Sequence, residues 1–293
     1  MNDMRRINIK FKKLYRPLTD NIYSNRFLTD LFTGYEYSLS RNNKDDFFRV
    51  TPNDKEIISL FTPNITYNFS YKFGQIIDRI LLSMATYGKS YIIIKPDYIE
   101  GNDKKGKVNQ VIGTLSIAEV KGVLKGNTFY YKIFDGKIHE FKIHEGTLIT
   151  FDLKEVGYKR NYFVKIAKKL EKHEIISESW FSIKNDPNYD FDVHLYNSKI
   201  KTLKLVKDLG WYFETENLSG SYILFKEIQM RLFKIKMLKY VLGKINKVLT
   251  DEYILNKDFK IETSIDNLDY EDIWEKFQTG EITKSELSKI VWS

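Results

Sequence analysis

Residues Ser219–Leu249, SGSYILFKEIQMRLFKIKMLKYVLGKINKVL, constrain the fold more than any other stretch of this chain. Leu224, Ile228, Leu232, Ile235, Leu238, Leu242, Ile245 and Leu249 recur at gaps of 4, 4, 3, 3, 4, 3 and 4, which puts them all on one face of an α-helix. About 28 residues at ~1.5 Å each make a rod roughly 40 Å long, longer than a small domain is wide. The rod carries Lys226, Arg231, Lys234, Lys236, Lys239, Lys244 and Lys247 against a single anion, Glu227. Two readings fit this pattern. One is a core helix with a solvated lysine face; the other is a helix whose four-three seam packs against other helices, including those of further copies.

Enough apolar residues accompany the rod to close a core, since 42% of the 293 residues are hydrophobic. The absence of Cys excludes disulfides and thiolate sites, and fits a reducing compartment. No signal peptide or membrane span is expected, because Asp78 and Arg79 break the longest apolar run of the N-terminal part. Charge is unevenly placed. Residues Asp251–Glu281 hold ten acidic and three basic residues, so that residues 1–250 carry +14 within a net +8. The imbalance points either to a polyanionic partner for the main body or to the lysine enrichment of an A/T-rich genome.

In chain order, Arg5, Arg6, Lys10, Lys12, Lys13 and Arg16 mark a basic arm. Phe27–Tyr37 reads as an aromatic-rich helix ended near Gly34, Asn42–Asp46 as a polar loop, and Asp54–Phe61 as a short helix between Pro52 and Pro63. Asn68–Tyr87 reads as a helix closed by Gly88. Ser90–Ile94 then reads as a buried strand stopped by Pro96. Val111–Leu115, Phe129–Phe134, Lys137–Ile143 and Thr147–Leu153 are strand-like, with Asp135-Gly136 as a hairpin turn. After Gly157 the texture is helical: Phe163–Ile175, a turn at Asn185–Asn188, a short strand over Tyr189–Leu195, a helix through Ile200–Leu209, and the rod. Leu268–Gln278 and a last helix opened by the Thr283/Glu286 capping box complete the chain.

Most chemical motifs fail on spacing or context. Gly88-Lys89-Ser90 follows a helix and enters a strand, the reverse of a phosphate-binding loop. His173-Glu174 lacks the second histidine of a zinc-protease signature, since position 177 is Ser177. His139 and His144 point to opposite faces of a strand. One constellation survives: Asp97 after Pro96, followed by Glu119-Val120-Lys121. It matches the short signature of a nuclease superfamily in which two carboxylates hold Mg²⁺ and a lysine supports the attacking water.

The order of elements carries a resemblance. A helix entering an aliphatic strand (ATYGKSYIIIKP), then TLSIAEVKGV, a hairpin (TFYYKIFDGKIHEFKI) and an edge strand (GTLITFDL) resembles the wing of tailed-bacteriophage portal proteins, the ring-shaped head-to-tail connectors. The closing FQTGEITKSELSKIVW is similar to the portal C-terminus. The Gly- and Ser/Thr-rich run that usually precedes the long helix is missing, and the chain is short for the family.

The resemblance implies an α+β ring subunit in four parts: residues 1–62 as basic arm and peripheral helices, 63–158 as wing, 159–250 as stem, clip, channel loop and long helix, and 251–293 as an acidic crown. Within the stem it places one helix over Lys159–Ser182, a compressed clip over Ile183–Asn197 and a second helix over Ser198–Phe213. It implies a structural, non-enzymatic protein without cofactor or metal, forming a dodecamer around double-stranded DNA. The implied partners are a capsid protein, a separate packaging ATPase and tail or adaptor proteins, at the portal vertex of a virion assembled in host cytoplasm. Channel candidates are Lys201, Lys204, Lys207, Asn217 and Ser219; seam candidates between copies are Leu224, Ile228, Leu232 and Ile235. The Mg²⁺-dependent nuclease (Asp97, Glu119, Lys121) and a nucleic-acid-binding protein of unrelated fold are the alternatives.

Overall fold

A computed structural model describes residues 22–35, 39, 47–61, 68–98, 110–116, 121–132, 137–143, 147–171, 191–212, 219–250, 258–264 and 269–292. In chain order these form α1 (Ile22–Phe32), β1 (Phe48–Thr51), α2 (Lys55–Phe61), α3 (Phe69–Tyr87), β2 (Lys89–Tyr98), β3 (Gln110–Ser116), β4 (Lys121–Lys125), β5 (Thr128–Lys132), β6 (Ile138–Lys142) and β7 (Thr147–Asp152). They continue with α4 (Tyr162–Glu171), α5 (Phe191–Leu205), α6 (Gly220–Leu249), β8 (Lys260–Thr263), α7 (Tyr270–Gln278) and α8 (Lys284–Trp292). The fold is α+β, and every strand pair among the described residues is antiparallel.

α3 forms where the sequence places it. Asn68 caps its first turn by accepting from the Ser70 N–H, and Gly88, at φ 79°, donates its N–H to the Met84 carbonyl. The chain turns directly into β2, the centre of a three-stranded sheet ordered β3-β2-β7. The period of two divides β2 between two cores. Ile92, with Ile149 and Phe151 of β7, faces the helices, whereas Ile93 packs with Phe129 and Phe141 beneath the second sheet, β4-β5-β6. Gly122 of β4 leaves room there for the Phe129 ring, since a Cβ would lie 2.2 Å from its edge.

Pro96 does not stop β2, contrary to the sequence expectation. Among the described residues the pairing with β7 ends at Ile94↔Thr147, while Pro96, which has no N–H to give a ladder, still pairs with Ile112 of β3. Three strands are additions to the sequence reading: β4, and the pair β1-β8, which joins the N- and C-terminal thirds. Asp135-Gly136 lies outside the described residues, as do Asn42–Asp46 and the arm.

Two further expectations are corrected. α1 is central, not peripheral: Phe27, Leu31 and Phe32 are fully buried, and Phe32 meets Phe163 of α4 at 4.7 Å and Phe233 of α6 at 5.7 Å edge-on. The strand expected over Tyr189–Leu195 is helical from Phe191 onward, so the expected clip overlaps α5, and α5 ends at Leu205 in place of Phe213. Tyr189 and Asp190 lie outside the described residues, and so do residues 172–182 of the helix expected over Lys159–Ser182, of which α4 is the described part.

α6 is the axis of the molecule. It starts where the sequence suggests, beyond Ser219, whose side chain caps it by accepting from the Tyr222 N–H. Its buried residues divide along its length between two cores. Phe233, Met237, Leu238, Val241, Leu242, Ile245 and Leu249 join the main core with α1, α3 and α4. Leu224 and Ile228 join a second, smaller core with Tyr270 and Ile273 of α7 and Leu287 and Val291 of α8. Among the described residues, no helix is long and apolar enough to cross a membrane.

Candidate functional site

Four of the seven cations of α6, Lys226, Arg231, Lys234 and Lys244, do not lie on a solvated face, and this is the largest departure from the sequence reading. Lys226 is 1% exposed and its Nζ donates to the Lys207 carbonyl at 2.9 Å. Arg231 donates to the Val291 carbonyl at 2.6 Å and lies over the Tyr270 ring, so it ties α6 to both C-terminal helices. Lys244 donates to the Thr150 carbonyl at 2.8 Å and pairs with Glu155 at 2.6 Å. Lys236, Lys239 and Lys247 remain exposed. A sequence pattern treats lysine as a solvent marker, yet its long stem can be buried when its amine finds a carbonyl.

Lys234 is the extreme case, 3% exposed, with Nζ 3.3 Å from the Thr33 carbonyl and 5.1 Å from the centre of the Tyr35 ring. Burial pushes its amine down to about 8, although Asp78, Asp30 and Glu227 favour the charge and Arg231 opposes it. Asp78 in turn accepts from the Gly34 N–H at 2.8 Å, and its own burial raises its carboxyl. A lysine whose folded value lies below its unfolded 10.5 binds its proton less tightly in the folded state, so stability rises with pH between about 8 and 10.5. Lys234→Met is expected to lack this rise. Urea titrations at pH 7 and pH 10 should show the variant's stability relative to the parent falling by about 3 kcal/mol, the size of such a shift; an equal difference at both pH values would refute the assignment.

The turn after α5 is clamped between α1 and α6. Trp211 is fully buried; its indole N–H donates to Asp30 at 3.0 Å and its ring meets Phe27 edge-on at 5.5 Å. The Tyr212 hydroxyl donates to Glu227, and burial together with that carboxylate raises the phenol well above its ordinary value. A second lock sits at the end of β7. Asp152 receives Arg160 on both oxygens, at 2.6 Å from Nη2, with Lys89 at 3.4 Å and the Lys154 N–H at 3.1 Å. Burial alone would raise its carboxyl, but these donors outweigh it and hold the group at about 2. Gly88 permits this lock, since a Cβ there would lie 2.4 Å from that of Arg160.

The expected channel residues separate. Lys201 and Lys204 are exposed one turn apart on α5, and Lys207 is exposed on the short 3₁₀ turn that follows. Ser219 is the cap of α6, and Asn217 lies outside the described residues. The expected seam between copies is packed within the chain: Leu224 and Ile228 are each 1% exposed beneath α7 and α8, and Leu232 and Ile235 are half-buried against the same cluster. The physical reason is that the acidic C-terminal segment supplies its own amphipathic pair of helices for that face. The nuclease constellation is divided. Asp97 pairs with Val111 in the β3-β2-β7 sheet, Lys121 pairs with Lys132 in the β4-β5-β6 sheet, and Glu119 lies outside the described residues. Among the described residues, no group of three or more His, Asp or Glu side chains is placed to hold a metal ion.

No family model matches the sequence. No curated protein matches it. Among solved structures, a chain of the neck of a native GTA particle computed with C12 symmetry is similar over 96% of this chain and 95% of that one, with a TM-score of 0.50 and 10% identity. At that identity the likeness concerns the fold, which the two chains share from end to end.

Proposed function

We propose that this protein is a structural component of the head-to-tail region of a phage-like particle, and specifically a portal-type subunit: a non-enzymatic wedge that closes with identical copies into a ring around double-stranded DNA. The observation that carries the reading is the end-to-end likeness of fold to a chain from a neck computed with C12 symmetry. A fold does not by itself fix a function. Here the sequence resemblance to portal proteins rests on the order of elements and on short motifs, and the fold likeness supports the same family of particles by a separate route.

The reading gives a role to features that the monomer leaves idle. α6, with 30 residues and a length of about 45 Å, is clamped on several sides and suits a rigid spoke of a ring. Exposed Lys201, Lys204 and Lys207 are suited to phosphates, which need charge without base-specific geometry. The ring is expected to number twelve and to act in the virion with a capsid protein, a separate packaging ATPase and tail or adaptor proteins. Native mass measurement with electron-microscope class averages tests this. A closed ring with rotational symmetry is the expected result, and a monomer at every salt concentration would end the portal reading.

A further inference from the structure

We propose a DNA-contacting surface distinct from the α5 lysines, centred on Tyr158 and Tyr162 where the start of α4 meets Phe233 and Lys236 of α6, which takes the phosphate backbone of duplex DNA. The inference rests on the connector reading for the identity of its polyanion; its geometry stands alone.

The two tyrosine rings are 5.3 Å apart and both are half-buried. Lys236 of α6 places Nζ 5.3 Å from the centre of the Tyr158 ring, and Lys239, exposed one turn further along, extends the line in one direction. On α4, Lys165 and Lys169 are exposed at three and four residues' spacing beyond Tyr162, which extends it along that helix. The helices are held in this relation by Phe233, whose ring is 5.8 Å from Phe163 and 6.1 Å from Tyr158. The result is a track of four cations with two phenols at its middle.

Among the described residues, none of the four lysines lies in an ion pair, in contrast to Lys89 and Lys244, which are held by carboxylates. The anion that acts on the tyrosines is Asp208 at the margin of the track. Burial first raises both phenols, followed at Tyr158 by Tyr162 and then Asp208 and at Tyr162 by Asp208, so both stay protonated and are donors at neutral pH. Lysine ammonium groups and tyrosine hydroxyls about one helical turn apart suit phosphate oxygens, and the track is built without the planar arginine fork that reads a base edge. The expected binding is therefore strong in salt dependence and weak in sequence preference.

The test uses the full chain with Lys165→Gln, Lys169→Gln, Lys236→Gln and Lys239→Gln combined, and Lys125→Gln with Lys142→Gln, exposed on the β4-β5-β6 sheet, as the comparator expected to bind DNA like the parent. Anisotropy of a labelled 30-base-pair duplex is read between 50 and 300 mM salt, with a thermal melt to establish that each variant is folded. The combined variant should bind at least tenfold more weakly at 100 mM salt. Its slope of log K against log salt should be shallower by up to ~3.6, at ~0.9 for each of the phosphates that the four lysines no longer neutralise. Unchanged affinity and slope would overturn the inference, as would a variant that keeps its DNA binding but no longer forms rings, since the track would then be an interface between copies. A folded monomer that loses DNA binding in the variant would keep this inference and remove the ring.

Discussion

Gly210→Ala should destabilise the protein by about 3 kcal/mol or more, a loss in the range reserved for strained backbone and core clashes. Gly210 turns the chain after α5 at φ 72°, in the left-handed region, and it does so against the backbone of α6. A Cβ there would lie 2.2 Å from the Met230 nitrogen, 2.3 Å from the Lys226 carbonyl oxygen and 2.8 Å from the Gln229 carbonyl carbon. All three are helix backbone atoms, so no side chain can swing away. Relief requires the turn to retreat, which would pull the Lys207 carbonyl from buried Lys226 and the Trp211 indole from Asp30. Gly126→Ala is the control, because Gly126 has φ 56° with nothing within 4 Å of the added carbon; it isolates the conformational cost of about 1 kcal/mol. Urea midpoints for the two variants should differ widely. If Gly210→Ala is no more costly than Gly126→Ala, the close approach is wrong.

Ile228→Asp should release the C-terminal helices from α6. Ile228 is 1% exposed in an apolar cluster made with Leu224, Tyr270, Ile273, Leu287 and Val291, where a carboxylate loses its hydration. A loss of about 4 kcal/mol is expected there, enough to undock a unit this small. Because this core is separate from the one around α1, α3 and α4, the damage should be regional. Hydrogen exchange should show amides of α7 and α8 losing protection while those of α3 and β2 keep theirs. Ile235→Asp, at a position that packs against both cores, should instead weaken the whole molecule. Uniform loss of protection in the Ile228 variant would show that the two cores fold as one.

The sequence is most readable where a local rule decides the structure. The Gly88 cap of α3, the start of α6 beyond Ser219-Gly220 and the capping box of α8 all form as spacing suggests; in the last, Glu286 accepts from the Thr283 N–H at 2.7 Å. It is least readable where a distant partner decides. β1 and β8 are four residues each and exist through each other, and β4 needs the Gly126-Asn127 turn to be weighed as a hairpin against Asp135-Gly136. The seam of α6 is legible as an apolar face, but its occupant is not: the same pattern serves the chain's own α7 and α8 or a neighbour. Nor does periodicity distinguish Lys236, which is exposed, from Lys234, which is buried under Tyr35, since both are lysines on one helix.

The pairing of β1 with β8 bears on how the molecule comes into being. Arg49 and Glu262, which face each other across that ladder, are 213 positions apart. At roughly 5–20 residues per second, a ribosome delivers the second strand about 10 to 40 s after the first. During that interval Phe48 and Val50 wait without their partner strand, beside helices already long enough to associate. A nascent chain of this design is exposed along one strand edge until β8 has been made, and chaperone demand in the cell should track that delay more closely than the stability of the finished fold.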